Sequence, residues 1–265
     1  TTSNTHAAAQ GRRLEGAVGS TEECQGSQVA TGSSHTCAIV TAGVKCFGRN
    51  YAGQLGYDHT ETIGDGRQQD GNPCSYTYDA DGSCTFITVA EMPSLGIVNL
   101  GASVIAVTLG YAHSCALLNL GSVKCWGLNE HGQLGYDSTD NIGDSSGEMA
   151  SLGTVNIGGT VLSISAGHSH TCVLLHDSTV KCWGLNEHGQ LGIDCRGSQG
   201  DSPGEMASLA TVDLGDDAVV ISAGPAHTCA VLLLGGTKCW GLGSHGRLGT
   251  GSEAEVGVTS GEMAS

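Results

Sequence analysis

Cysteine and histidine are the residues of this sequence whose types and spacing could carry chemistry. Four near-copies of one stretch hold most of them: GSSHTCAIVTAGVKCFGRNYAGQLG from Gly32, GYAHSCALLNLGSVKCWGLNEHGQLG from Gly110, GHSHTCVLLHDSTVKCWGLNEHGQLG from Gly167 and GPAHTCAVLLLGGTKCWGLGSHGRLG from Gly224. Each copy has His-x-Cys, then a second cysteine nine or ten residues later. Zinc is one chemistry for that pattern, but structural zinc takes C-x₂₋₄-C clusters, and one cysteine on each of two strands makes none. A disulfide is the other. If Cys172 faces Cys182 the turn centres on Asp177, while Cys115/Cys125 and Cys229/Cys239 centre on Leu120 and Leu234. The first copy has lost one turn residue and its pair, Cys37/Cys46, is one position closer, as a symmetric hairpin with a shorter loop requires. Directly opposed residues at non-hydrogen-bonded antiparallel positions have Cα atoms about 4.5 Å apart, within bridging range.

To oppose those cysteines, each copy must run as two short strands around a polar or glycine-bearing turn, and the residue alternation on either side reads as a β-hairpin. Two more short apolar runs stand upstream of the later hairpins, at 97–100 with 104–109, 154–157 with 161–165 and 211–214 with 218–222. Four short strands per unit with glycine corners predict the blade of a β-propeller. The histidines at His35, His113, His170 and His227 are 78, 57 and 57 residues apart. Such a period marks supersecondary units that bury their apolar faces on one another. A catalytic group is rarely needed four times, so these rings are expected to satisfy the same backbone group in every blade. Trp126, Trp183 and Trp240, with Phe47 in the first copy, are expected to pack between blades. His168 is an extra ring without a neighbouring carboxylate, and no metal site is expected there.

The motif G-x-x-H-T/S-C-A-L…V-K-C-W-G-x-N-x-x-G-Q-L-G resembles the repeat of the regulator of chromosome condensation family, over about 28–249. The resemblance implies an all-β propeller of four-stranded antiparallel blades. Members typically have seven blades, and the four repeats here would form a partial, open propeller or a small one. The first blade would lack its outermost upstream strand. Paired cysteines resemble the extracytoplasmic members rather than the nuclear nucleotide-exchange factor.

Residues 1–27 lack the repeat and read as an N-terminal arm, leaving 28–265 as the repeat domain with units at about 28–56, 97–135, 154–192 and 211–249. The first interval between repeats is longer by an insertion at 66–86, in which Cys74 and Cys84 bracket Tyr76, Tyr78 and an Asp-Gly turn. It reads as an extra disulfide-closed hairpin, and insertions on one repeat often map to a binding face. Arg67, Tyr76 and Tyr78 are therefore the candidate partner-binding residues, since tyrosine gives contact area at little entropic cost. Elimination would pair Cys24 with Cys195, and the sequence leaves open whether they do. Acidic loops (Asp137, Asp140, Asp144, Glu148; Asp79, Asp81) lack the full calcium-loop spacing and read as solvated carboxylates.

Formal charge is −16 with only ten Lys and Arg, which disfavours nucleic-acid backbone binding. Twelve cysteines, ten of them in opposed or closely spaced pairs, point to an oxidising compartment, whether extracellular, periplasmic or a thylakoid-type lumen. No membrane-length apolar run or signal peptide is visible, so the chain reads as processed and mature. No catalytic motif is found, and no enzyme activity or cofactor is expected. The expected function is a non-catalytic interaction or scaffolding subunit docked on a larger complex, peripheral to a membrane at most. A secreted inhibitor or receptor-like binder is the alternative, with Tyr51, Tyr57, Tyr76, Tyr78 and Tyr136 as its main loop aromatics. Exchange-factor activity on a small GTPase, which the family resemblance also implies, is disfavoured by the acidic charge and paired cysteines.

Overall fold

In the computed structural model the described residues are 28–64, 76–78, 84–86 and 95–263. Four antiparallel three-stranded sheets follow one another along the chain, each in the order of its sequence. The first holds β1 (Val29–Thr31), β2 (His35–Val40) and β3 (Gly43–Gly48). A separate pair, β4 (Tyr76–Tyr78) and β5 (Cys84–Phe86), belongs to the insertion. The second sheet holds β6 (Val104–Leu109), β7 (His113–Leu118) and β8 (Val123–Gly127). The third holds β9 (Val161–Ala166), β10 (His170–Leu175) and β11 (Val180–Gly184). The fourth holds β12 (Ala218–Ala223), β13 (His227–Leu232) and β14 (Thr237–Gly241). Helix among the described residues is confined to short turns such as α1 (Glu148–Ser151).

The hairpin registers place Cys37 opposite Cys46, Cys115 opposite Cys125, Cys172 opposite Cys182 and Cys229 opposite Cys239. All four pairs are disulfides with Cα atoms 4.1 Å apart. The missing turn residue of the first hairpin shortens only its tip, where Val40 pairs with Gly43. Register is kept because the bridge and the alternating burial demand the same pairing.

Strand count departs from the expected four. The run at 97–100 does not extend its own repeat's sheet; Val98 bridges Val44 at the outer edge of β3, its N–H donating to the Val44 carbonyl at 2.8 Å. Val155 donates in the same way to Val123, and Val212 to Val180. A repeat in sequence is thus offset from a sheet in space, and the first sheet has three strands like the others, with a shorter upstream strand. The run stays short of a strand because it turns on itself: Ile157 N–H bonds back to the Val155 carbonyl at 3.1 Å. Val155 and Ile157 are nonetheless buried, so the run adds apolar cover and one bond rather than a ladder.

The apolar cores lie between consecutive sheets. Cys37, Val44 and Cys46 meet Val107, Ala116 and Trp126; Cys115, Val123 and Cys125 meet Val173 and Trp183; Cys172, Val180 and Cys182 meet Ala230 and Trp240. The first three hairpins therefore turn their disulfides toward the following sheet, and the last three turn their tryptophans toward the preceding one. Alternation along a strand puts those two sets on opposite faces.

Candidate interaction surface

The repeated polar residues are joined across the seams. His35 Nε2 lies 3.0 Å from Ser114 Oγ, His113 Nε2 3.1 Å from Thr171 Oγ1, and His170 Nε2 3.0 Å from Thr228 Oγ1. Each hydroxyl donates onward to a backbone carbonyl: Ser114 to Gln54 (2.7 Å), Thr171 to Gln133 (3.0 Å), Thr228 to Gln190 (2.9 Å). The indole N–H groups of Trp126, Trp183 and Trp240 donate to the same three carbonyls at 3.0 Å. With its proton given to the carbonyl, each hydroxyl oxygen must accept, so His35, His113 and His170 carry their proton on Nε2. The rings were expected to satisfy a backbone group; they reach it through the next sheet's hydroxyl.

Burial holds the rings neutral, the pKa falling to about 4 at His35 and about 3 at His113 and His170, with neighbouring rings adding to the fall at the latter two. Nδ1 of each ring is buried without a partner among the described residues. It faces the glycine that opens the motif. A Cβ on Gly167 would lie 2.1 Å from His170 Cε1 and 2.5 Å from the Gly224 carbonyl oxygen. Because Thr228 pins the far side of the ring, Gly167→Ala is expected to cost about 3 kcal/mol through overpacking. Gly153→Ala, where a Cβ meets open space, should be near neutral. Chemical denaturation of the two variants checks the difference.

A second fastening was not foreseen. The carboxylate of Glu148 accepts from the N–H groups of Gly143, Asp144 and Ser145 (2.8, 3.1 and 3.0 Å), and Glu205 and Glu262 do the same in their loops. Asp58 reaches across the seam to Gly147 N and Met149 N (3.0 and 2.9 Å), Asp137 to Gly204 and Met206, and Asp194 to Gly261 and Met263. Asp137 and Glu148, two of the weighed calcium ligands, are thus committed to backbone N–H groups. No cluster able to hold a metal occurs among the described residues. The signal for this clasp was the recurrence of Gly-Glu-Met at the repeat period.

Where the framework repeats, its side chains are taken up in the seams; the loop face beside the G-x-x-H turns is where the copies differ. Consecutive turns hydrogen-bond there, Tyr111 N–H to the His168 carbonyl and His168 N–H to that of Pro225. Tyr111 stacks on His168 with ring centroids 4.3 Å apart. The Arg49 guanidinium lies 4.7 Å from the centroid of Tyr51, which is exposed. Burial first, then the charges of Tyr111 and Glu130, raise the Tyr51 pKa against the opposing pull of Arg49. His131 neighbours His168, whose pKa is lowered by burial and by that ring. Arg49, Tyr51, Tyr111 and His168 thus make an aromatic and cationic patch over the first three sheets. The sequence reading missed Arg49 and Tyr111; the clue was their departure from Leu128, Leu185 and Pro225 at equivalent positions.

Of the loop tyrosines singled out from sequence, Tyr57 and Tyr136 are structural. Their hydroxyls donate to the Gly96 and Gly153 carbonyls and accept from Cys46 N and Cys125 N. Arg67, Cys24 and Cys74 lie outside the described residues, as do Asp79 and Asp81. Tyr76, Tyr78 and Cys84 are described through their strand pairing, Tyr76 opposite Phe86 and Tyr78 opposite Cys84. Cys195 has a free, exposed thiol.

Comparison with known proteins agrees with this geometry. The regulator of chromosome condensation repeat is matched at residues 27–54, 104–133 and 161–190, and in a second form at 178–231. The chain is 34% identical over 142 residues to the probable E3 ubiquitin-protein ligase HERC6 of Homo sapiens, covering 54% of this chain and 13% of that protein. It is 27% identical over 232 residues to the ultraviolet-B receptor UVR8 of Arabidopsis thaliana, covering 86% and 44%. It spans less than half the length of these relatives. Among solved structures, Prp20p of Saccharomyces cerevisiae superposes with a TM-score of 0.61 at 19% identity, over 87% of this chain and 49% of that one. Human WBSCR16 gives 0.61 at 21%, over 87% and 51%. Both likenesses are of fold. With its motif repeated in one register and the same histidine–hydroxyl–carbonyl bonds at each internal seam, the chain is built on repeats of the regulator of chromosome condensation family.

Proposed function

We propose that this chain is a non-catalytic interaction subunit that holds a protein partner against the loop face of its first three sheets, in an oxidising compartment. The observation that carries the reading is the patch of Arg49, Tyr51, Tyr111 and His168 on an otherwise repeated framework. In repeat proteins, departures from the shared motif on one face are where recognition is written. Arginine and tyrosine are also the side chains that most often anchor interfaces. Neutral, hydrogen-bonded histidines at the seams support a structural rather than catalytic role for the repeated rings. Four disulfides support the oxidising compartment. Prp20p, alike in fold, has binding properties toward Gsp1p and histones, and protein recognition of this general kind is what we carry over.

Retention on the native assembly tests the proposal. Arg49→Ala with Tyr51→Ala should weaken binding by about 2 kcal/mol, or roughly thirtyfold, with the melting temperature unchanged. Deletion of residues 66–86 is the parallel arm for the insertion, with Arg67, Tyr76 and Tyr78 as its contact candidates. Unchanged binding by both folded variants would sink the proposal.

A further inference from the structure

The two ends of the sheet array are complementary. At each internal seam the disulfide-bearing face of one sheet is covered by the next, and Leu174 there is 4% exposed. On the fourth sheet the equivalent Val231 is 39% exposed, and Thr237 is exposed where Val44, Val123 and Val180 are buried. His227, the fourth ring of the series, has no hydroxyl against it among the described residues, whereas the other three each have one. The first sheet presents the converse. Val29 is 62% exposed where the equivalent Val107 is 4%, and Thr36 and Phe47 are half-buried where Ser114 and Trp126 are fully buried.

We propose that these faces dock on one another between two copies of this chain, head to tail, with the Thr36 hydroxyl of one copy accepting from His227 Nε2 of the other. The occupant follows from the three internal seams. Whatever covers the fourth sheet must offer a hydroxyl on a middle strand and an aromatic ring opposite it, and Thr36 pairs with Phe47 in that register. Gly251 stands at the position of Asp58, Asp137 and Asp194, so the junction lacks the carboxylate clasp and is weaker than the internal seams. A head-to-tail contact of this kind either closes a ring or continues as a chain, according to the rotation per copy. The inference is independent of the patch on the loop face.

Sedimentation of the oxidised protein tests it, with Cys24→Ser and Cys195→Ser throughout so that an intermolecular disulfide between these cysteines cannot imitate the junction. The parent should associate as concentration rises from about 1 to about 100 µM, the range of a modest interface. Val231→Asp and Val29→Asp, both at exposed positions that the fold tolerates, should each be monomeric. Mixing them joins one intact face of each kind and should restore a one-to-one dimer. A monomeric parent across the range, self-association of either variant alone, or a mixture that stays monomeric would overturn the proposal.

Discussion

Reduction of the four hairpin disulfides is expected to unfold the sheets at or near room temperature. Each bridge closes a loop of about ten residues, worth roughly 2–3 kcal/mol in restricted unfolded-state freedom. Together they approach about 10 kcal/mol, against a typical total stability of roughly 5–15 kcal/mol. At about 2–4 °C per kcal/mol for a chain of this size, the melting temperature should fall by 20 °C or more, as an order of magnitude. Access should order the loss. The sulfurs of the first three hairpins are fully buried, while Cys229 and Cys239 are only partly so, and they should be reduced first. Thermal melts with and without reductant, alongside timed thiol trapping, read both outcomes. A reduced protein melting within a few degrees of the oxidised one would contradict the account.

Mild acid should act almost as strongly. His35, His113 and His170 have folded-state pKa values lowered by burial to about 4, 3 and 3, against 6.5 in the unfolded chain. Between those limits the unfolded state binds more protons than the folded one, so stability falls as pH falls and is fully present only above about 6.5. Each ring costs about 1.4 kcal/mol per pH unit in that window, so the three together remove about 6 kcal/mol by pH 5. Most carboxylates do not titrate until lower pH, which isolates the histidine contribution. Denaturant midpoints from pH 7 to 5 should show uptake of nearly three protons on unfolding. His170→Asn should reduce that by about one. An uptake below one proton would mean that the rings are not held neutral.

The hairpins were legible because two independent signals coincided: alternation placed the cysteines on one face, and the turn length placed them opposite. The first copy, with one residue fewer, kept both. The run at 154–157 misled because apolar alternation predicts burial as readily as it predicts a strand, and burial was the part realised. Its backbone turned after a single bond, which composition does not reveal. Asp58 and Asp194 escaped notice, and Asp137 read only as a solvated carboxylate, because an acid that reaches backbone N–H groups 67 to 89 residues away looks, in sequence, like any loop acid. The patch on the loop face was obscured by the repeat itself. Arg49 and Tyr111 draw attention only once the seams account for every neighbour that recurs from copy to copy.

The seams have one further consequence, for how the length of such a protein is set. Each joins only two consecutive units and uses the same groups every time, and GLNEHGQLG occurs identically at 127–135 and 184–192. Excising residues 136–192 would therefore create no junction that the chain does not already contain. His113 would meet Thr228 as it now meets Thr171, Trp240 would donate to the carbonyl of Gln133, and Asp194 would still clasp the loop at Gly261. His131 would take the place of His188 beside Glu255. The number of units is thus decoupled from the chemistry that joins them, so gene duplication and loss can lengthen or shorten the protein by whole periods without redesigning a contact.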